Sequence, residues 1–243
     1  MLRPFKADLH IHTCLSPCTE LDMSPKGILT TAKKKEIDII GICDHNSSEN
    51  SLAVMNAAKK MNINVIPGME VTSQEEVHVL ALFDEVENAL KMQKYVYENL
   101  PGENDEDAFG MQVIVNEKEE VLGFNNKLLI GATTIPLEGI IRIIHSFDGI
   151  AIASHIDRES FSIISQLGFV PDNSELDALE ISTNITFEEA KKRFKNNYPI
   201  TRSSDAHYPD DIGKGFTSFL LKDGTVAEIK KALKNEDGRK LIH

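Results

Sequence analysis

"ADLHIHTCLSPC", residues 7–18, decides the fold, because a short apolar run ends there by presenting two histidines one residue apart. Side chains on a β-strand alternate faces, so Asp8, His10 and His12 are expected on one side, with Leu9 and Ile11 on the other. Two imidazoles then enter one pocket while the opposite face supplies core.

Downstream the same unit recurs. "SPKGILTTAKKKE" (24–36) reads as a helix that Ser24 can cap and Pro25 can open, with Lys33, Lys34 and Lys35 at its negative end. "IDIIGICDH", "INVIPGMEVTS" and "VHVLALF" have strand length and composition, whereas "SSENSLAVMNAAKKM" and "DEVENALKMQKYVYENL" are amphipathic helices. "PGENDEDAFG" (101–110) has the composition of an exposed loop, and two short strands are expected within 111–135, around "NEKEE" and "FNNK". Regular alternation then resumes, strands "GIAIASH", "LDALEIST", "YPITRSSDAH" and "GFTSFLL" interleaving with four helical segments. Repeated β-α units with buried strands imply a parallel sheet, and their number favours closure into a barrel of seven or eight strands.

The 243 residues suit one α/β domain, and 38 acidic against 26 basic residues give a net charge of −12. No dense Lys/Arg cluster offers a nucleic-acid footprint, so long nucleic acids are disfavoured as partners and small phosphorylated molecules are left. Three cysteines cannot all pair and the opening "MLRPFKADLH" lacks the apolar core of a secretory signal, which implies reduced thiols and a cytoplasmic location. No apolar stretch approaches the ~20 residues that cross a bilayer. Nothing in the sequence fixes an oligomeric state.

Polar residues gather at strand ends. His10 and His12 close the first strand, Asp44 and His45 the second, Glu70 the third; His155, Asp205 and His207 close later ones, and His78 begins the fourth. His78 joins them only if its strand runs against its neighbours or a loop carries it over. One histidine at a strand end is an ordinary satisfied polar group, but six of the eight in the chain, in company with carboxylates, are not. Imidazole plus carboxylate, without thiolate pairs at zinc-finger spacing, suits Zn, Mn or Fe at a catalytic site. His145 and His243 fall outside the pattern, and Cys14 and Cys43 read as small core residues.

The ordered set "DLHIHT" (8–13), "DH" (44–45), "GMEV" (68–71), "HVLAL" (78–82), "SH" (154–155) and "SDAH" (204–207) resembles the PHP family, named for polymerase and histidinol phosphatase. The resemblance implies a distorted (β/α)7 barrel over residues 1–243, with a small insertion at about 84–135, of the kind found in stand-alone metal-dependent phosphoesterases. It further implies two or three divalent ions and hydrolysis of small phosphoesters by a hydroxide shared between metals. His10, His12, Glu70 and Asp205 would hold one ion. Glu70, the catalytic bridge, would hold the second with His78 and His155, and His45 and His207 would contribute to a third. Many relatives place His or Asp six residues after His12; here that position is Cys18, an uncertain ligand of the third site. Asp44 and Asp8 are expected behind the ligands, Asp8 orienting a histidine, and Arg158 and Arg202 beside the pocket as phosphate clamps. The same ligands would serve a hydrolase of C–N or other non-phosphate bonds, and a non-catalytic metal-binding module is the remaining alternative.

Overall fold

A computed structural model describes residues 1–171, 173–194 and 198–242. Strand β1 (Arg3–Ile11) leads to helix α1 (Pro25–Lys34), which starts where the sequence places it: Ser24 Oγ accepts from Gly27 N at 3.2 Å. Such a cap contributes about 1 kcal/mol, and Lys33 and Lys34 occupy the last turn. Strand β2 (Ile39–Ile42), helix α2 (Ser51–Ala58) and strand β3 (Asn64–Thr72) continue a parallel run, Ala7 facing Ile39 and Ile39 facing Asn64.

The alternation then breaks. Strand β4 (His78–Leu82) follows β3 after a tight turn in which Ser73 Oγ accepts from the amides of Glu75 and Val77, both at 3.2 Å. With no helix between them the two strands pair antiparallel, Thr72 opposite His78, and β4 is antiparallel to β7 as well. A strand that runs backwards begins where its neighbours end. His78 thereby reaches the face on which β1 to β3 terminate.

Helix α3 (Val86–Glu98), helix α4 (Glu106–Phe109) and a hairpin of β5 (Val113–Val115) and β6 (Val121–Phe124) fill the segment from 84 to 135. The stretch expected as loop, 101–110, contains the single turn α4, because the Asp105 carboxylate accepts from Asp107 N and Ala108 N. After it come α5 (Leu137–Ser146), β7 (Ile150–Ala153), α6 (Ile163–Leu167), β8 (Ala178–Ile181), α7 (Phe187–Arg193), β9 (Ile200–Arg202), β10 (Thr217–Leu221), α8 (Val226–Leu233) and β11 (Lys240–Ile242). The end of the helix expected over 186–197 and His243 lie outside the described residues.

Among the described residues the main sheet has nine strands in the order β11-β10-β1-β2-β3-β4-β7-β8-β9. The sheet curls into a half-barrel, which agrees with the barrel-like α/β architecture expected from the sequence but not with a plain repeat of seven parallel β/α units, since β4, β10 and β11 are antiparallel to their partners. The chain past β9 returns to β1 beside the histidines: Ala206 forms a parallel bridge with Ile11, and His12 N donates to Ala206 O at 3.0 Å. Gly215 lets the chain before β10 pass close to Ser203, since a Cβ there would stand 2.1 Å from Ser203 O. Leu9, Ile66, Leu80, Ile152 and Phe219 pack in one cluster, and Met69, Val71, Val79, Ile140 and Ile144 pack in another against the helices.

Candidate metal centre

The opening stretch departs from strict alternation. The register of β1 against β2 shifts between Asp8 and Ile11, a bulge of the kind that re-aims side chains beside active sites. Leu9 and Ile11 fall into different apolar clusters as a result. Among the described residues Asp8 makes no hydrogen bond with a histidine, contrary to the expectation that it orients one. Its carboxylate accepts from Ser204 N at 2.9 Å and Gly213 N at 2.8 Å, fixing the loop that carries Asp205, and burial raises its pKa to about 6.

His10 and His12 are fully buried and their Nε2 atoms are 3.1 Å apart. Each is held from behind. His10 Nδ1 lies 2.9 Å from Glu180 Oε1, and His12 Nδ1 lies 2.9 Å from Ser16 Oγ, which itself donates to Asp44 Oδ1 at 2.7 Å. Because Ser16 spends its proton on Asp44, it accepts from His12 Nδ1–H, and Glu180 accepts from His10 Nδ1–H. Both Nε2 atoms then turn lone pairs towards Asp205 Oδ1, 3.2 and 3.1 Å away. Three acceptors at contact distance need a positive charge between them.

Glu70 gathers the rest. Its carboxylate lies 3.4 Å from His10 Nε2, 3.6 Å from His12 Nε2, 3.1 Å from His45 Nδ1, 2.9 Å from His78 Nδ1 and 3.2 Å from His155 Nε2. His45 Nδ1 and His78 Nδ1 are buried without a hydrogen bond of acceptable geometry, although both stand close to the carboxylate. His155 and Asp205 hold positive φ angles of 30° and 50°, a strain of order 1–3 kcal/mol each that clusters at functional sites.

The charge balance agrees. Burial alone would raise Glu70, yet His78 and His10 hold it well below the usual carboxylate range; His10 and His12 do the same for Asp205. Burial opposes protonation of His10, but Asp205, Glu180 and Glu70 drive it well above an ordinary histidine, while burial, His207 and His45 push His12 well below. A proton on His10 supplies the missing positive charge. A divalent cation held by the same groups would supply it better and would displace that proton.

Three donor groups fit ions: His10, His12 and Asp205; His45, Glu70 and His78; His12, His45 and His207, each set with ligand atoms within 4.8 Å of one another. Cys18 lies against His45 and His207, which offset the effect of burial and lower its thiol to about 7. Cys14, buried elsewhere, is pushed up to about 12, and Cys43 is raised well above the ordinary thiol value. His145 pairs with Asp177 at 2.8 Å, away from the site.

A cavity of about 200 Å³ opens onto this nest, lined among others by Glu70, His155, Arg158, Phe161 and Asp205. Arg158 Nη1 meets Asp205 Oδ2 at 2.5 Å with 37% of its side chain exposed. Arg202, expected beside it, does not line the cavity: its Nη2 donates to Thr183 O at 3.1 Å. Glu180 and Ser16 were not singled out from the sequence. A carboxylate within the apolar strand "ALEI" (178–181) was the signal for Glu180; Ser16 lies in a loop and gave none.

A family model described as the PHP domain matches residues 8–166, well over half of the 243 residues, and a PHP-associated model matches 191–237. The chain belongs to the PHP family. An uncharacterized protein of Methanocaldococcus jannaschii is 30% identical over 100 residues, 37% of this chain and 58% of that one. Among solved structures, the lesion-specific endonuclease Q of Pyrococcus furiosus covers 98% of the chain at TM-score 0.72 and 20% identity. A metal-dependent phosphoesterase from Bifidobacterium adolescentis covers 95% of this chain and 96% of its own at TM-score 0.56 and 16% identity. The chain spans 58% of the length of both the archaeal relative and endonuclease Q.

One expectation is overturned here. Endonuclease Q has been solved on a 27-mer duplex with an abasic lesion at its active site, and that complex shares this fold over 98% of the chain at TM-score 0.70. The net charge of −12 therefore gives no ground for excluding long nucleic acids. Net charge sums the whole surface, whereas bound cations are often the largest local charges at such a site. Among the described residues no helix is long and apolar enough to cross a membrane.

Proposed function

We propose that this PHP-family hydrolase cleaves phosphoester bonds. The observation that carries the proposal is Arg158, a guanidinium at the mouth of the cavity, 2.5 Å from Asp205 and beside a carboxylate ringed by imidazoles. A phosphoryl group presents two or more non-bridging oxygens that match its planar fork, whereas the tetrahedral oxyanion of C–N hydrolysis offers one.

His10, His12, Glu70 and Asp205 would hold one ion, Glu70 with His78 and His155 a second, and His45, His207 and Cys18 a third. A divalent ion held there, Mn, Zn or Fe, would neutralise phosphoryl oxygens and lower the pKa of a water. Arg158 binds and orients a non-bridging oxygen of the ester through the donors that Asp205 leaves free. Glu180 and Ser16 keep the protons of His10 and His12 on Nδ1, so that both Nε2 lone pairs stay available. Water adds to phosphorus, the P–O bond to the alcohol breaks, and phosphate and alcohol leave.

The test is a panel of phosphoesters, small monoesters and lesion-bearing duplex DNA included, offered to protein reconstituted with each metal in turn. Phosphate release that chelator abolishes supports the proposal. Amide hydrolysis with no phosphoester turnover contradicts it.

A further inference from the structure

Phe161, in the loop between β7 and α6, has a φ of +56°. For a bulky side chain this conformation is a genuine outlier, costing of order 1–3 kcal/mol. Core packing does not offset that cost, because the residue remains 40% exposed. Its place is nevertheless built with care. Phe161 O accepts from His78 N at 2.9 Å, and its ring stacks on the His78 imidazole with centroids 4.8 Å apart and planes inclined by 19°. Ser162 Oγ donates to Arg158 O at 2.8 Å, so the phosphate-facing arginine and the ring belong to one closed turn. Ile130, 37% exposed, adds a second apolar wall to the same cavity.

We propose that Phe161 is the platform for the leaving group, and that the alcohol of the ester carries a planar aromatic group, a nucleobase or aryl ring, which lies against its open face. The proposal rests on the phosphoester reading of the site and extends it to the other half of the substrate. An aromatic ring held at a strained angle beside the reacting phosphorus gains from stacking what a flexible aliphatic residue would not, about 1–3 kcal/mol per stacked base. Because every base presents a π-face, the platform selects flatness rather than one base.

Two measurements test it. The first compares kcat/KM for adenosine 5′-monophosphate and ribose 5-phosphate, which share a leaving alkoxide and differ in the base. Metal-loaded wild-type protein is expected to favour the nucleotide by about tenfold to a hundredfold, and Phe161→Leu to collapse that ratio. Equal loss on both substrates, or no preference in the wild type, overturns the proposal and leaves Phe161 as a support for His78.

The second needs no turnover. The chain contains no tryptophan, so Phe161→Trp introduces a single indole that can be excited apart from the four tyrosines. Its fluorescence in the metal-loaded protein should be quenched saturably by the nucleotide and not by ribose 5-phosphate. A single-stranded oligonucleotide forms the third arm: quenching by it alone assigns the aromatic group to a polymer, and quenching by the mononucleotide to a small ester. Saturable quenching without hydrolysis would retain the platform and remove the phosphoesterase reading; no quenching by either ligand removes the platform itself.

Discussion

The floor and the rim of the cavity are built differently. On the floor, His10, His12, Glu70 and Asp205 are no more than 7% exposed, and each stands at or just past a strand end. At the rim, Arg158 and Phe161 sit on a loop with more than a third of their surface open. The floor is fixed by sheet register and by buried partners behind each imidazole, whereas the rim is fixed by one turn. Chemistry placed on strands is precise and constant; selectivity placed on a loop can change without disturbing it.

Breaking the floor should cost most. Glu70→Gln removes the charge that five imidazole nitrogens face within 3.6 Å, and turnover should fall by roughly a thousandfold or more, equivalent to several kcal/mol. Near-normal kcat with metals retained would refute its role as a bridge. One layer back, Glu180→Gln leaves His10 free to choose its tautomer. Metal affinity, followed by titration against a competing chelator, should drop by about 10–100-fold. An unchanged affinity would separate Glu180 from the site.

At the rim, Arg158→Lys should lower kcat/KM by about tenfold while metal content stays intact, since lysine keeps the charge and loses the fork. Loss of metal in this variant would move Arg158 from rim to floor. Far from both, Glu228 accepts from Arg239 Nε and Nη2 at 3.0 and 2.9 Å and from Lys222 N at 2.7 Å. Arg239 first, against a smaller opposing effect of burial, lowers the pKa of Glu228 below the 4.5 of an unfolded glutamate. The stabilisation is then complete above pH 4.5 and lost as pH falls through the lower folded value. Glu228→Gln should lower the Tm by about 1–3 °C at neutral pH, with no change in metal content or kcat, and the difference should narrow in acid.

The floor was largely legible in the sequence and the rim largely was not. Strand-end histidines announce themselves by position, and the reversal of β4 is one of the two ways that His78, at a strand beginning, could join them. Asp8 stands behind the ligands as expected, but it holds the loop of Asp205 through Ser204 N and Gly213 N rather than a histidine, a long-range pairing that no local pattern encodes. Arg202 was misplaced because proximity in sequence to Asp205 does not survive the turn after β9, where its side chain meets the Thr183 carbonyl instead. Closure through Ile11 and Ala206 joins residues almost 200 positions apart and left no trace in composition. Phe161 escaped notice because its backbone angle is imposed by the partners of its loop.

If the nest of lone pairs around Glu70 and Asp205 holds cations, their loading is measurable. Elemental analysis of protein stripped by chelator and reconstituted with Mn, Zn and Fe in turn, with proton release followed during loading, tests it most directly. At least two ions per chain are expected from at least one of the metals, together with release of protons, because protonated His10 must become a ligand. One ion or none per chain with every metal, and no proton released, would contradict the account.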